Sequence, residues 1–260
     1  MPPAPRVIIT GASSGIGAAL AQHYARQGAV LGLIARRAPA LEALRASLPT
    51  ACALYAADIR DEGALRAAGE DFTSRHGCPD IVIANAGVSS GTLTEYAEDL
   101  AVFQEALEIN VLGIARTFQP FIACMRERGR GALAGIASVA GHRGLPGGGA
   151  YCASKAAAIA YLESLRLELR DSGISVTTVS PGFVATAMTA NNPYRMPFLM
   201  SADDAAGRIA GFIRRGTAYA VIPWQMALVA RAMQVMPNWL YDRFFSGAPR
   251  KPRRNPITRP

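Results

Sequence analysis

Short apolar runs alternate with segments of helical periodicity along most of the chain, and this alternation most constrains the possible folds. The runs are Val7–Thr10, Val30–Ala35, Ala51–Ala56, Ile81–Ala84, Ala132–Ser138, Ile174–Ser180 and Tyr219–Ile222. Between them, apolar spacing predicts helices over Ile16–Gln27, Pro39–Leu48, Glu62–Arg75, Leu100–Arg126, Ala150–Asp171 and Ala202–Arg215. A strand apolar at nearly every position must be covered on both faces, and a parallel sheet between helices does that. Crossovers between parallel strands are right-handed, so the expected fold is α/β, a doubly wound parallel sheet in three layers. No repeat or linker divides it. We expect one domain over 1–222, an amphipathic helical extension over 223–247 broken at Pro237, and a basic, disordered tail over 248–260.

Composition narrows the class. With 260 residues, half of them apolar and 18% charged, the chain can bury a large core and is not of the disordered type. Cys52, Cys78, Cys124 and Cys152 are scattered, with neither a Cys-x-x-Cys pair nor histidines at ligand spacing. They read as reduced thiols of an intracellular protein without a metal site. The N-terminus runs into Arg6-Val-Ile-Ile-Thr10 without the regions of a secretory leader, so a cytoplasmic location is expected. Much of the +8 net charge sits in the tail, in Arg250, Lys251, Arg253, Arg254 and Arg259. That tail reads as a solubilising end or as an attraction to anionic lipid. No aromatic interleaving or nucleic-acid motif accompanies it, so no nucleic-acid partner is expected.

Thr10-Gly-Ala-Ser-Ser-Gly-Ile-Gly17 follows the first strand and opens the first helix. In that context a glycine loop is a phosphate-binding turn. Gly11 permits the tight turn, Gly15 lets the backbone approach a pyrophosphate, and Gly17 lets helix pack on strand. The N–H groups and positive dipole end of the helix supply the attraction. Tyr151 and Lys155, four apart in Tyr-Cys-Ala-Ser-Lys, share one helix face. An ammonium near a phenol favours the phenolate, which predicts a lowered Tyr151 pKa and a usable proton shuttle.

These motifs, taken in order, resemble the classical short-chain dehydrogenase/reductase family. The TGxxxGIG loop matches Thr10–Gly17, with Ser13, Ser14 and Ile16 inside it, and the NAG motif matches Asn85, Ala86 and Gly87. The catalytic Asn and Ser match Asn110 and Ser138, YxxxK matches Tyr151 and Lys155, and the PG motif runs from Pro181 through Val184 to Thr186. The resemblance spans roughly residues 5–222 and implies a Rossmann fold binding a nicotinamide dinucleotide. It implies that Ser138 bonds the substrate carbonyl, that Tyr151 exchanges the proton, and that Lys155 lowers the Tyr151 pKa and binds ribose. Asn110 is expected to hold a water linking Lys155 to solvent. Asn85 is expected to support the sheet as much as the cofactor. Asp58 and Ile59 match the family's adenine contacts.

The second strand ends Ile34-Ala35-Arg36-Arg37, where NAD-binding members place an acid. Arg36 can pair with a 2′-phosphate, so NADP(H) is the expected cofactor. His142 reads as a loop residue near the substrate mouth, and Cys152 as core. Ala156, Ala157, Ala158 and Ala160 are small enough for close helix approach, which in this family serves a homo-oligomer, dimer or tetramer. Met188, Met196, Phe198, Leu199 and Met200 make the 186–201 segment apolar, either packed on the sheet or facing a hydrophobic substrate. The aromatic stretch Trp224–Phe245 is too interrupted to span a bilayer. It is left to cap the site, join subunits or touch a membrane surface.

The expected activity is NADP(H)-dependent interconversion of a small-molecule ketone or aldehyde with an alcohol. A 3-oxoacyl thioester reductase is the alternative, which Arg143 and Arg195 would support by gripping a carrier phosphate. A catalytically inactive nucleotide-binding sensor is the reading from a different class.

Overall fold

The computed structural model describes residues 4–253. Seven parallel strands form one sheet: β1 (Arg6–Thr10), β2 (Val30–Ala35), β3 (Cys52–Ala56), β4 (Ile81–Ala84), β5 (Gly131–Ile136), β6 (Ile174–Pro181) and β7 (Tyr219–Ile222). Their spatial order is β3-β2-β1-β4-β5-β6-β7. The register is continuous, with Val7 beside Leu31 on one side and Ile81 on the other. The sheet is therefore doubly wound, as the apolar runs required, and its order reverses direction between β1 and β4.

Helices cover both faces. On one, α1 (Gly15–Ala25), α2 (Ala38–Ala46) and α7 (Ala202–Arg214) share a core with Val7, Ile9, Leu31 and Leu33. On the other, α3 (Glu62–His76), α4 (Asp99–Leu107), α5 (Gly113–Arg128) and α6 (Gly149–Glu168) complete the sandwich, with Phe72, Phe118 and Phe121 fully buried among them. Truncating any of those phenylalanines to Ala should cost about 3–5 kcal/mol.

Three features differ from the sequence reading. The single helix expected over Leu100–Arg126 is interrupted by one π turn, Glu108–Leu112, between α4 and α5. Apolar periodicity does not register one extra residue in a turn, and such bulges often mark functional sites. The cysteines are not all reduced, because Cys78 and Cys124 form a disulfide with Cα atoms 5.9 Å apart. Their 46-residue separation hid the proximity that packing α5 beside β4 creates. Finally, the tail is not free throughout. Lys251 and Arg253 bond to the body of the protein, while residues 254–260 lie outside the described residues.

Beyond β7 the chain forms α8 (Trp224–Val235) and α9 (Asn238–Phe245), separated at Pro237 as expected. Met226, Ala230, Met233 and Tyr241 are buried in a small core with Val139 and partly buried Phe183. No helix among the described residues is long and apolar enough to cross a membrane.

Candidate active site

The loops leaving the C-terminal ends of β1–β6 converge on a cleft of about 350 Å³, at the place where the strand order reverses. That is where doubly wound sheets bind ligands. Seventeen of the nineteen positions singled out from sequence line it: Gly11, Ser13, Ser14, Gly15, Ile16, Arg36, Asp58, Ile59, Asn85, Ala86, Gly87, Ser138, Tyr151, Lys155, Pro181, Val184 and Thr186. Gly17 and Asn110 are not among the lining residues and act from behind.

At the dinucleotide end, Gly11 has φ +67°, a left-handed conformation that glycine adopts without strain. Gly17 is glycine for a different reason, since a Cβ there would sit 2.2 Å from the Gly11 carbonyl. Asn85 ties the loop to the sheet. Its Nδ2 donates to the Thr10 carbonyl at 3.1 Å, and its backbone N–H donates to Thr10 Oγ1 at 3.2 Å. The first turn of α1 carries no acid, and the Ser14 side chain does not cap it. Its leading N–H groups therefore point toward the cleft as a site for an anion.

Arg36 and Arg37 stand exposed at the end of β2, with Arg37 Nη2 donating to Ser13 Oγ at 3.3 Å. Ala35 is 7% exposed and brings no carboxylate. Asp58 does line this end of the cleft, but Arg60 grips its carboxylate at 2.6 Å. That bond, more than the nearby Arg36 charge, holds its carboxyl below the usual range. Ile59 is 6% exposed, and its side chain fills the place a Cβ on Gly113 would take, 2.4 Å from Ile59 Cδ1.

At the catalytic end, β5 carries Ser138 beyond its last residue and the first turn of α6 carries Tyr151. The Ser138 hydroxyl interacts with the Tyr151 phenol closely enough to oppose the rise in its pKa, and it accepts from Ala140 N at 3.2 Å. Lys155 is 4% exposed, donates from Nζ to the Ile136 carbonyl at 2.8 Å, and lies 5.9 Å from the centre of the Tyr151 ring. The expectation that Lys155 lowers the Tyr151 pKa is corrected here. Burial pushes the phenol up to about 12, with the Ser138 hydroxyl opposing it. Burial likewise pushes the Lys155 ammonium down to about 8. Burial is the leading cause in both cases, and it disfavours the charged form of each group.

Asn110 is fully buried in the π turn. Its Oδ1 accepts from Val88 N at 2.9 Å, while Nδ2 donates to the Val88 carbonyl at 3.0 Å and to Ser154 Oγ at 2.9 Å. Both amide hydrogens are engaged, so the side chain is a brace and is not free to donate to a water. Ser154 in turn donates to the Tyr151 carbonyl at 2.8 Å. Ser154 was missed in the sequence reading, although its place beside Lys155 and its i–3 bond to the backbone are a recognisable pattern.

Other expectations resolve differently. His142 does not line the cleft. Its Nε2 lies 2.6 Å from Tyr219 Oη and its Nδ1 lies 2.9 Å from Gln234 Nε2, which ties α8 to the sheet edge. Burial lowers its pKa. Arg143 is also spent structurally, donating from Nη1 to the Met233 and Met236 carbonyls and from Nη2 to Asn238 Oδ1 at 2.7 Å, with its guanidinium over the Tyr241 ring. Cys152 is core, as expected. The methionines of the 186–201 segment divide: Met200 is buried, whereas Met188 is 44% exposed and lines the cleft.

A family model described as short chain dehydrogenase matches residues 5–196. An uncharacterized oxidoreductase of Myxococcus xanthus is 40% identical over 90% of this chain and 94% of its own length. A 3-ketoacyl-(acyl-carrier-protein) reductase of Brucella melitensis, solved with NADH, superposes with a TM-score of 0.78 at 25% identity, over 84% of this chain and 96% of that one. L-sorbose reductase of Gluconobacter frateurii, solved with NADPH and L-sorbose, gives 0.74 at 25% identity over 84% and 93%.

Proposed function

This chain belongs to the short-chain dehydrogenase family and is an oxidoreductase, and on that premise we propose that it interconverts a hydrophobic ketone or aldehyde with its alcohol, using NADP(H). The observation that carries the reading is the meeting of Ser138, Tyr151 and Lys155 in one cleft with an acid-free, arginine-bearing end to β2. A dinucleotide suits the glycine cradle and the uncapped first turn of α1. When bound, it supplies or takes the hydride.

The chain's own groups do the rest. The α1 N–H groups hold phosphate, and Arg36 pairs with a 2′-phosphate. Ser138 donates to the carbonyl oxygen and orients it. Tyr151 gives a proton from its phenol oxygen to the alkoxide oxygen that forms, or takes one in the reverse direction. Lys155, held by Ile136, sits where it can bind ribose. Asn110 and Ser154 fix the backbone under Tyr151.

Solved neighbours include a 3-ketoacyl reductase, which keeps the thioester alternative open. Against it, Arg143 is engaged with α8, leaving exposed Arg195 as the remaining cation of those named for a carrier phosphate. A mere nucleotide sensor needs no Ser–Tyr–Lys group gathered in the cleft. Exposed Leu100, Leu107 and Leu112 lie along α4 and the π turn and Leu167 on α6, which favours a homo-oligomer through those helices. Exposed Trp224, Leu228, Trp239 and Phe244 leave peripheral membrane contact from a cytoplasmic protein as a secondary reading.

The test measures NADPH and NADH consumption across ketones of graded size. Turnover with NADPH that is strongest on apolar ketones supports the proposal. A preference for NADH, or no oxidation with any carbonyl, sinks it.

A further inference from the structure

Residues 250–253 run back from α9 across the loops that bracket Tyr151. Gly91 N donates to the Pro252 carbonyl at 3.1 Å, and Lys251 Nζ donates to Ser89 Oγ at 2.9 Å. The approach is close: a Cβ on Gly91 would sit 2.1 Å from the Lys251 carbonyl. Arg253 fastens the end. Its Nε donates to Asp99 Oδ2 at 2.7 Å, and its Nη2 donates to Asp99 Oδ1 at 3.1 Å and Glu98 Oε1 at 2.9 Å. Its guanidinium lies 3.5 Å over the Tyr96 ring. Fork geometry and stacking together make this an arginine site that lysine does not reproduce.

Asp99 is only 3% exposed and has a second task, accepting from Leu93 N at 2.7 Å. The contacts then pass inward. Thr92 N donates to the Gly147 carbonyl at 2.9 Å, and Ala150 N donates to Thr92 Oγ1 at 3.3 Å. Ala150 is the residue before Tyr151. A continuous line of bonds therefore joins Arg253 to the catalytic helix through Asp99 and the 91–93 turn. Among the described residues, none of these bonds reaches the glycine loop or Arg36.

We propose that Arg253 is a positioning residue, and that the C-terminal segment is a strap fixing the substrate side of the cleft. It sets the two loops on either side of Tyr151 and leaves the dinucleotide side to the first half of the sheet. The kinetic part rests on the redox reading above, while the structural part does not.

The test compares wild type, Arg253→Met, Asp99→Asn and the double variant. With NADPH and ketones from acetone to 2-decanone, Arg253→Met should raise KM and lower kcat/KM about tenfold, since small misplacements near the reacting groups are costly. Its NADPH affinity, read by cofactor fluorescence, should match wild type. The double variant should lose less than the sum of the two single losses, because both single variants break the Arg253–Asp99 contact. Hydrogen exchange gives a readout without activity: the Thr92 and Ala150 amides should exchange faster, with those of β1 unchanged. Asp99→Asn keeps the side-chain size and serves if Arg253→Met does not fold. Unchanged exchange at Thr92 and Ala150, or equal loss of protection in β1, overturns the strap. A wild-type enzyme that oxidises no NADPH with any of these ketones, yet shows the exchange difference, overturns only the redox reading.

Discussion

The glycine loop at 11–17 and the segment at 224–253 both shape one cleft, but they are held by opposite means. The loop's shape is set mainly by its own glycines: Gly11 takes the left-handed turn and Gly17 clears the Gly11 carbonyl, while Asn85, 75 residues from Thr10, adds two uncharged bonds. The C-terminal segment is held from afar. Arg143, some 90 residues earlier in the chain, binds the end of α8, and Asp99, 154 residues before Arg253, receives the tail. Local geometry makes a site that tolerates no added atom. Long-range charged contacts make one that loosens by degrees.

The sharpest way to break this contrast is Gly17→Ala. The added methyl meets backbone, which cannot swing away, so the variant should lose NADPH binding altogether or fail to fold. Binding within threefold of wild type would show that the loop adapts as readily as the tail. Next in size is Tyr151→Phe. Turnover should fall about 10²–10⁴-fold, the worth of general acid catalysis, with cofactor affinity kept. A third of wild-type activity would remove Tyr151 from the proton transfer.

Arg36→Ala should lower kcat/KM with NADPH about tenfold to a hundredfold and leave the NADH value nearly unchanged, as expected for loss of a charge-assisted phosphate contact. Equal losses with both cofactors would mean Arg36 supports the fold of the β2 end and does not read the 2′-phosphate.

These positions also show what sequence makes visible. Val30–Ala35, Ile81–Ala84 and Tyr219–Ile222 have the predicted bounds, because an apolar run bounded by turn residues has one way to be buried on both faces. Most of the cleft was readable for the same reason: its residues sit at strand ends, which topology gathers. The π turn at Asn110 was not readable, because it depends on bonds to Val88 and Ser154 from other elements. Nor were the Cys78–Cys124 pairing and the roles of Arg143 and Arg253. An arginine among glycines or prolines looks like a solvated charge until the helix end or carboxylate it serves is placed beside it. The Tyr151 pKa was misjudged because helix spacing reports proximity and not desolvation.

Lys155 offers a finer probe. Its ammonium is pushed down to about 8, against an ordinary 10.5. Between those values the unfolded chain binds a proton that the folded protein does not, so the Lys155 contribution makes stability rise with pH. Above pH 10, Tyr151, raised to about 12, acts in the opposite sense. Lys155→Met should therefore flatten the rise in urea-unfolding free energy between pH 8 and 10 relative to wild type. Identical slopes would mean that Lys155 stays hydrated in solution.

The smallest effect tests the other side of the comparison. Arg143 donates to carbonyls at the C-terminal end of α8, where a helix leaves acceptors unpaired and favours a cation. It also stacks on Tyr241, whose hydroxyl donates to the Gly144 carbonyl at 2.7 Å, so one side chain joins α8, α9 and the 141–147 loop. Arg143→Met keeps much of the apolar stem and removes the donors. A loss of about 1 kcal/mol should lower Tm by about 2–4 °C for a chain of this size. The cofactor end shares no bond with Arg143 among the described residues, so NADPH affinity should not move. Substrate KM should rise slightly, because the 141–147 loop leads into α6. If NADPH affinity fell in step with Tm, the two regions would be one cooperative unit and the distinction between local and long-range support would fail. If neither Tm nor KM changed, α8 would owe its position to the Met226, Ala230 and Met233 contacts alone.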